Sequence, residues 1–163
     1  MYFTTLSTPL GFMRPVSTGT AIMRLDWQQH PFSDADRPDH VSRETCDELN
    51  AYLNGENLHF STPLDLSAQS IKLRQWLSVM QQIPIGNTIS YAEFAARWGN
   101  RGAARAAGDA CRRNPIPIII PCHRVVRSDG GFDNYSGGGD THPRDPENIK
   151  RKQWLIENER RFS

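Results

Sequence analysis

The sequence predicts an α/β (α+β) chain: a small N-terminal sheet-plus-helix unit over 1–67, then a mostly helical C-terminal domain over 68–163 containing a helix-turn-helix. Three observations predict this. Residues 2–27 carry β-branched and aromatic residues broken by turn signals at Thr8-Pro9 and Ser17-Thr18-Gly19. Three stretches, Ala68–Gln82, Ser90–Trp98 and Ala103–Arg112, read as helices, the last two joined by a Gly-containing turn. The run Ile118-Ile119-Ile120 lies among prolines and reads as a buried, strand-like segment, because a continuous apolar run has no wet face. A chain of 163 residues suits one domain, or a small domain joined to a larger one, and can bury a real core.

In chain order, Tyr2–Leu6, Gly11–Pro15 and Thr20–Trp27 are expected strands, and Gln28–Asp39 a polar loop. Ser42 is a candidate cap for a helix running to about Leu53, with Cys46, Leu49, Ala51 and Leu53 inward and Gly55 ending it. In the next helix Ile71, Leu73, Trp76, Leu77, Val79 and Met80 make a broad apolar face. Ser90-Tyr91-Ala92-Glu93 has the capping-box pattern, with Ile89 and Phe94 as a hydrophobic staple. The helix after it is nearly bald: Ala103, Ala104, Ala106, Ala107, Gly108 and Ala110 surround a single central Arg105. Such a helix suits close approach to a narrow nucleic-acid groove with Arg105 inserted among the bases; the plainer account is a helix made small to pack against a neighbour. Gly139–Asn148 is expected to be a surface loop, either a tolerated insertion or a limit on access to a neighbouring pocket. A last helix, Ile149–Arg160, would turn Ile149, Trp154, Leu155 and Ile156 inward.

The chemistry concentrates in Asn114-Pro115-Ile116-Pro117-Ile118-Ile119-Ile120-Pro121-Cys122-His123-Arg124. The prolines stiffen the backbone before Cys122. A thiol on a rigid buried mount, next to an imidazole and a guanidinium, suits an activated nucleophile better than a disulfide. Cysteines stand at 46, 111 and 122 with no C-x-x-C pair, which argues against a disulfide scaffold and a zinc cluster; no metal is expected. Adjacent side chains of an extended segment point to opposite faces, so His123 is expected to reach Cys122 indirectly. Net charge is only +1, yet from Arg97 to Arg127 seven arginines face one acid, Asp109. That is the footprint of a phosphate-binding surface, or else a solvated basic face. No apolar run approaches a membrane span and Met1–Leu10 lacks the regions of a signal peptide, so a cytoplasmic protein with no membrane partner is expected.

Pro121-Cys122-His123-Arg124-Val125, with Asn114-Pro115 before it and Asn134-Tyr135-Ser136-Gly137-Gly138 after it, resembles the active-site signature of the O6-alkylguanine-DNA alkyltransferases. The resemblance runs from about Ile83 to Glu159 and is weaker in the N-terminal half, which is similar to the family's ribonuclease-H-like domain. It departs from the family's pattern at Lys72-Leu73 and Trp76-Leu77, which affects packing, and in the 139–148 insertion. It implies a monomer in the absence of DNA that moves an alkyl group from O6-alkylguanine in double-stranded DNA onto Cys122, in one self-inactivating turnover without cofactor. O4-alkylthymine is left open as a second substrate. It also implies that Glu159 orients His123, which takes the thiol proton through a water, and that Tyr91 donates to the base near N3. Asn114 would pin the docking helix to the active-site segment, while Val125, Tyr135 and Ser136 hold the flipped guanine. Arg105 would replace the base, with Ala103, Ala104, Gly108, Arg112 and Arg124 also at the DNA. Alkyltransferase-like binding proteins lack the cysteine, and a cysteine hydrolase would leave the helix-turn-helix unexplained.

Overall fold

The computed structural model describes residues 1–132, 134–135 and 142–163. Its N-terminal sheet is antiparallel: β1 (Tyr2–Phe3), β2 (Leu6–Thr8), β3 (Gly11–Ser17) and β4 (Ile22–Gln28). β3 is central. β4 pairs with it from Phe12↔Gln28 to Ser17↔Ile22, and β1 and β2 share its other edge. Gly11, with φ +112, makes the turn into β3 where an added Cβ would strike the Gln28 carbonyl. α1 spans His40–Leu53. Its cap is Asp39, not Ser42; Ser42 sits at N3 and completes a reciprocal box, because its hydroxyl accepts from the Asp39 N–H. Cys46, Leu49 and Tyr52 face the core, while Ala51 and Leu53 are only half-buried.

α2 (Ile71–Met80) is capped by Ser70, so it starts three residues later than expected, and Ile71 is exposed rather than inward. α3 (Tyr91–Trp98) follows its Ser90 cap, which accepts from the Glu93 N–H. Glu93 turns instead to Arg97 and Arg101. Trp76 of α2 stacks on Trp98 at 4.3 Å and meets Phe94 edge-on at 5.1 Å, which locks α2 to α3. A 3-10 turn, Arg101–Ala103, leads into α4 (Ala104–Arg112). A two-residue parallel pairing, absent from the sequence reading, joins β5 (Ile89–Ser90) to β6 (Val125–Val126). It places the start of α3 beside the segment that carries Cys122.

α5 runs Pro146–Phe162, capped by Asp145. The surface loop expected over 139–148 is thus helical from Pro146. Proline at the first helical position gives up an N–H that has no helical partner anyway. Gly139, Asp140 and Thr141 lie outside the described residues. Ile149 and Trp154 are half-buried; the inward face of α5 also holds Asn148, Arg151, Lys152, Asn158 and Glu159, five polar residues.

The N-terminal sheet and helix meet the C-terminal half at named bonds. The Leu25 N–H of β4 donates to the Pro115 carbonyl at 2.9 Å, Asn158 donates to the Tyr52 carbonyl at 2.9 Å, and Trp27 packs edge-on against Tyr135 at 6.0 Å. A Cβ at Gly55 would collide with the Phe162 ring, so the end of α1 lies hard against the end of α5.

Candidate active site and docking helix

The prolines do not hold 114–124 extended. Ile116–Ile120 folds into a tight turn closed by the Ile120 N–H on the Ile116 carbonyl at 2.9 Å, with Ile118 at φ +75. A β-branched residue in the left-handed region is strained, and burial of Ile116, Ile118 and Ile120 holds it there. Asn114 staples the turn: its Nδ2 donates to the Ile120 carbonyl at 2.7 Å and its Oδ1 accepts from the Ile116 N–H at 3.0 Å. Cys122, His123 and Arg124 then form a 3-10 turn, not a strand. The mount is rigid, but the rigidity comes from the turn and its staple.

Cys122 is buried among the core residues. Burial pushes its thiol pKa up; the Asn114 amide, the Lys152 charge and the backbone N–H groups of Cys122 and His123 oppose that. Cys46 is pushed up to about 12 by burial and by Asp36 and Asp47, and its thiol donates to the Thr4 carbonyl. Cys111 is raised further by burial, then by Cys122.

His123 is wholly buried and its Nε2 lies 2.7 Å from Glu159 Oε2. Burial raises the energy of the charged carboxylate, but His123 and Arg124 overrule it and hold Glu159 well below the usual carboxylate range. An ionised Glu159 accepts only, so Nε2 carries the proton and Nδ1 presents a lone pair. Among the described residues that Nδ1 has no hydrogen-bond partner. Burial outweighs the attraction of Glu159 and lowers the His123 pKa, so the ring is a neutral base at neutral pH.

Arg124 departs from expectation. It is not at a DNA-facing surface: it is buried, with Nε 2.8 Å from Glu159 Oε1, Nη2 3.0 Å from Oε2 and Nη1 2.6 Å from the Ile83 carbonyl. A bidentate guanidinium is the natural partner for an isolated buried carboxylate. The Tyr52 hydroxyl, from α1, donates to Glu159 Oε2 at 2.6 Å. Sequence reasoning missed Tyr52. It stands 107 residues from Glu159, and one tyrosine in an amphipathic helix carries no local signal.

Around the thiol, Tyr91 is half-buried at the start of α3, and an added Cβ on Gly108 would sit 3.8 Å from its ring. Val125 is buried in β6. Tyr135 is buried, and its hydroxyl has no partner among the described residues. Ser136 lies outside the described residues. On α4 Ala107 and Ala110 face the core, while Ala103, Ala104 and Gly108 are half-buried and Arg105 is exposed. The small residues therefore do pack inward on one side. Of the seven arginines from 97 to 127, six make ion pairs: Arg97 and Arg101 with Glu93, Arg112 and Arg113 with Asp109, Arg124 with Glu159 and Arg127 with Asp129. Among the described residues Arg105 alone of the seven makes none.

The chain matches two family models: "6-O-methylguanine DNA methyltransferase, ribonuclease-like domain" over residues 1–66 and "6-O-methylguanine DNA methyltransferase, DNA binding domain" over residues 73–161. It is 35% identical over 173 residues to the methylated-DNA–protein-cysteine methyltransferase of Mycolicibacterium paratuberculosis, covering 99% of this chain and 93% of that one. The Rattus norvegicus protein of the same name is 48% identical over 81 residues, 50% of this chain and 34% of its own. Among solved structures, the O6-methylguanine methyltransferase of Mycobacterium tuberculosis superposes with TM-score 0.80 at 32% identity, covering 99% of this chain and 94% of that one. Mycobacterium tuberculosis OGT in complex with DNA gives TM-score 0.80 at 31% identity, covering 100% and 95%.

Tyr52→Phe removes one charge-assisted hydrogen bond from a buried carboxylate and is expected to cost about 2 kcal/mol, read as a lower urea midpoint. An unchanged midpoint would mean that Arg124 and His123 suffice to hold Glu159.

Proposed function

The chain belongs to the O6-alkylguanine-DNA alkyltransferase family: it is a DNA repair protein that takes an alkyl group from DNA onto a cysteine, and we propose that this cysteine is Cys122. The observation that carries the reading is the buried line from Glu159 to His123, ending at an Nδ1 lone pair next in the chain to a buried thiol. Residues 68–163 carry the chemistry and the DNA contacts; residues 1–67 brace them. Among the described residues no helix is long and apolar enough to cross a membrane; a cytoplasmic setting is part of the proposal.

In this reading His123 Nδ1 takes the Cys122 proton through one water, which fits neighbouring side chains with no direct hydrogen bond between them. The thiolate attacks the alkyl carbon of O6-alkylguanine. A carbon–sulfur bond forms, the carbon–oxygen bond breaks, and its electron pair stays with the guanine. Tyr91 donates a proton towards the base. Arg105 fills the place of the extruded base, for which an exposed arginine outside any ion pair suits. Val125 and Tyr135 line the guanine pocket, and the Tyr135 hydroxyl, without a partner among the described residues, is a buried group of the kind a bound base satisfies. Ala103, Ala104 and Gly108 let the backbone of α4 approach the minor groove, and Arg112 adds charge at its end. A thioether has no leaving path here, so the protein acts once per molecule and needs no cofactor.

Cys122→Ala should bind DNA and accept nothing. Intact mass after incubation with duplex O6-methylguanine DNA should show one added CH2 in the wild type and none in the variant; a label on Cys46 or Cys111 would overturn the assignment. Arg105→Ala should slow repair of duplex DNA at least about tenfold more than reaction with free O6-benzylguanine, which needs no flipping. Equal losses on both substrates would remove the finger role. The transfer rate should hold from neutral pH down past 6.5, the ordinary histidine value, because the His123 pKa is lowered, and should fall only at lower pH as Nδ1 takes a proton. A rate already halved at 6.5 would mean that burial does not lower the His123 pKa.

A further inference from the structure

Tyr52 is buried near the end of α1, in the unit that carries none of the chemistry described above. α5 grips it twice. Asn158 Nδ2 donates to its carbonyl at 2.9 Å, and its hydroxyl donates to Oε2 of the next residue, Glu159, at 2.6 Å. Its ring packs against Phe60 with 5.4 Å between centroids. A phenylalanine would fill the same space without burying a hydroxyl. Burial and the Glu159 charge hold the Tyr52 pKa well above the usual tyrosine value, so the group stays protonated and remains a donor.

The oxygen it reaches is the one that holds the histidine. Oε2 of Glu159 accepts from the Tyr52 hydroxyl at 2.6 Å, from His123 Nε2 at 2.7 Å and from Arg124 Nη2 at 3.0 Å, while Oε1 accepts from Arg124 Nε at 2.8 Å. Three donors on one oxygen share its lone-pair density, so each draws less from it. The short Tyr52 bond therefore limits how strongly Glu159 attracts the proton on His123. Among the other groups acting on the ring, Arg124 on its own turn and Lys152 on α5 disfavour a charge there. Tyr135, itself kept protonated by burial, interacts with Cys122, Tyr52 and Glu159.

We propose that Tyr52 is a positioning residue of the transfer reaction: by holding Oε2 of Glu159 it sets the basicity of His123 and keeps the ring neutral until the thiol proton arrives. The proposal rests on the reading above in which His123 is the base. The sign follows from the bonds. Without the hydroxyl, Oε2 turns more of its charge to the Nε2 proton, the imidazolium gains a stronger partner and the His123 pKa rises. A ring already charged has no lone pair on Nδ1 and cannot take a proton from a thiol. Tyr52 extends control of the chemistry into the N-terminal unit, through one hydrogen bond from α1 to α5.

The test uses the full chain with isotopically labelled histidine, and its first readout, the NMR titration of the His123 ring, needs no DNA. In Tyr52→Phe the ring should titrate about one unit higher than in the wild type, a roughly tenfold gain in proton affinity, and the pH of half-maximal methyl transfer from duplex DNA should rise by the same amount. Above both midpoints the transfer rate should stay within about threefold of wild type, because the ring is neutral in both proteins. Phe60→Leu loosens the packing of the Tyr52 ring but keeps the hydroxyl; it should lower the urea midpoint and leave the His123 titration in place. If Tyr52→Phe lowers stability without moving the His123 titration, or if Phe60→Leu moves it as far, Tyr52 is only a packing residue and the proposal is overturned. If the ring titration moves and the transfer profile does not, His123 is not the base and the proposal is overturned as well. Should Tyr52→Phe fail to fold, 3-fluorotyrosine at position 52 decides: its hydroxyl is the stronger donor, so the His123 titration should move lower, and no movement would overturn the proposal. Wild-type protein that takes no methyl from DNA would overturn the repair reading, and a raised His123 titration in Tyr52→Phe would still support the control of the ring by Tyr52.

Discussion

One buried carboxylate organises this protein. Glu159 is 1% exposed, and its two oxygens engage His123, Arg124 and Tyr52. An ionised carboxylate in the interior persists only when its lone pairs are filled, and here three elements must arrive together to fill them: α1 with Tyr52, the 3-10 turn with His123 and Arg124, and α5 with Glu159 itself. The charge therefore couples the N-terminal helix to the chemistry. It also sets the histidine tautomer, which leaves the lone pair on Nδ1.

The second constraint is the backbone of 114–124. A strand would have alternated Cys122 and His123 across a sheet. The observed turn instead packs three alternate isoleucines inward, carries strain at Ile118, and delivers cysteine, histidine and arginine on a short 3-10 turn with all three side chains buried. Asn114 closes that turn with both ends of its amide, and the end of α4 lies just before it in the chain.

The charged face is smaller than the composition suggests. Glu93 and Asp109 each hold two arginines, and Arg124 is inside the protein. Paired arginines still contribute potential, but their net charge is reduced, and the exposed Arg105 on a helix of small residues is left as the distinctive feature.

Local chemistry was legible in the sequence wherever the cause was local. The Ser90 cap, the bald helix around Arg105, the β-rich start and the Cys122-His123 pair each depend on neighbours within a few residues. The mixed α and β architecture followed from the same periodicities. The sequence misled where a local rule had two outcomes: proline at 146 starts a helix rather than excluding one, and prolines with isoleucines made a turn rather than a strand. Tertiary structure alone decided the partners of buried charge. That Arg124 turns inward to Glu159, that Tyr52 reaches the same carboxylate from 107 residues away, and that Lys152 lies over the Tyr91 ring are long-range pairings. Nothing in a side chain's near neighbours encodes them, because they are set by which elements pack face to face and by the requirement that a buried charge find its complement.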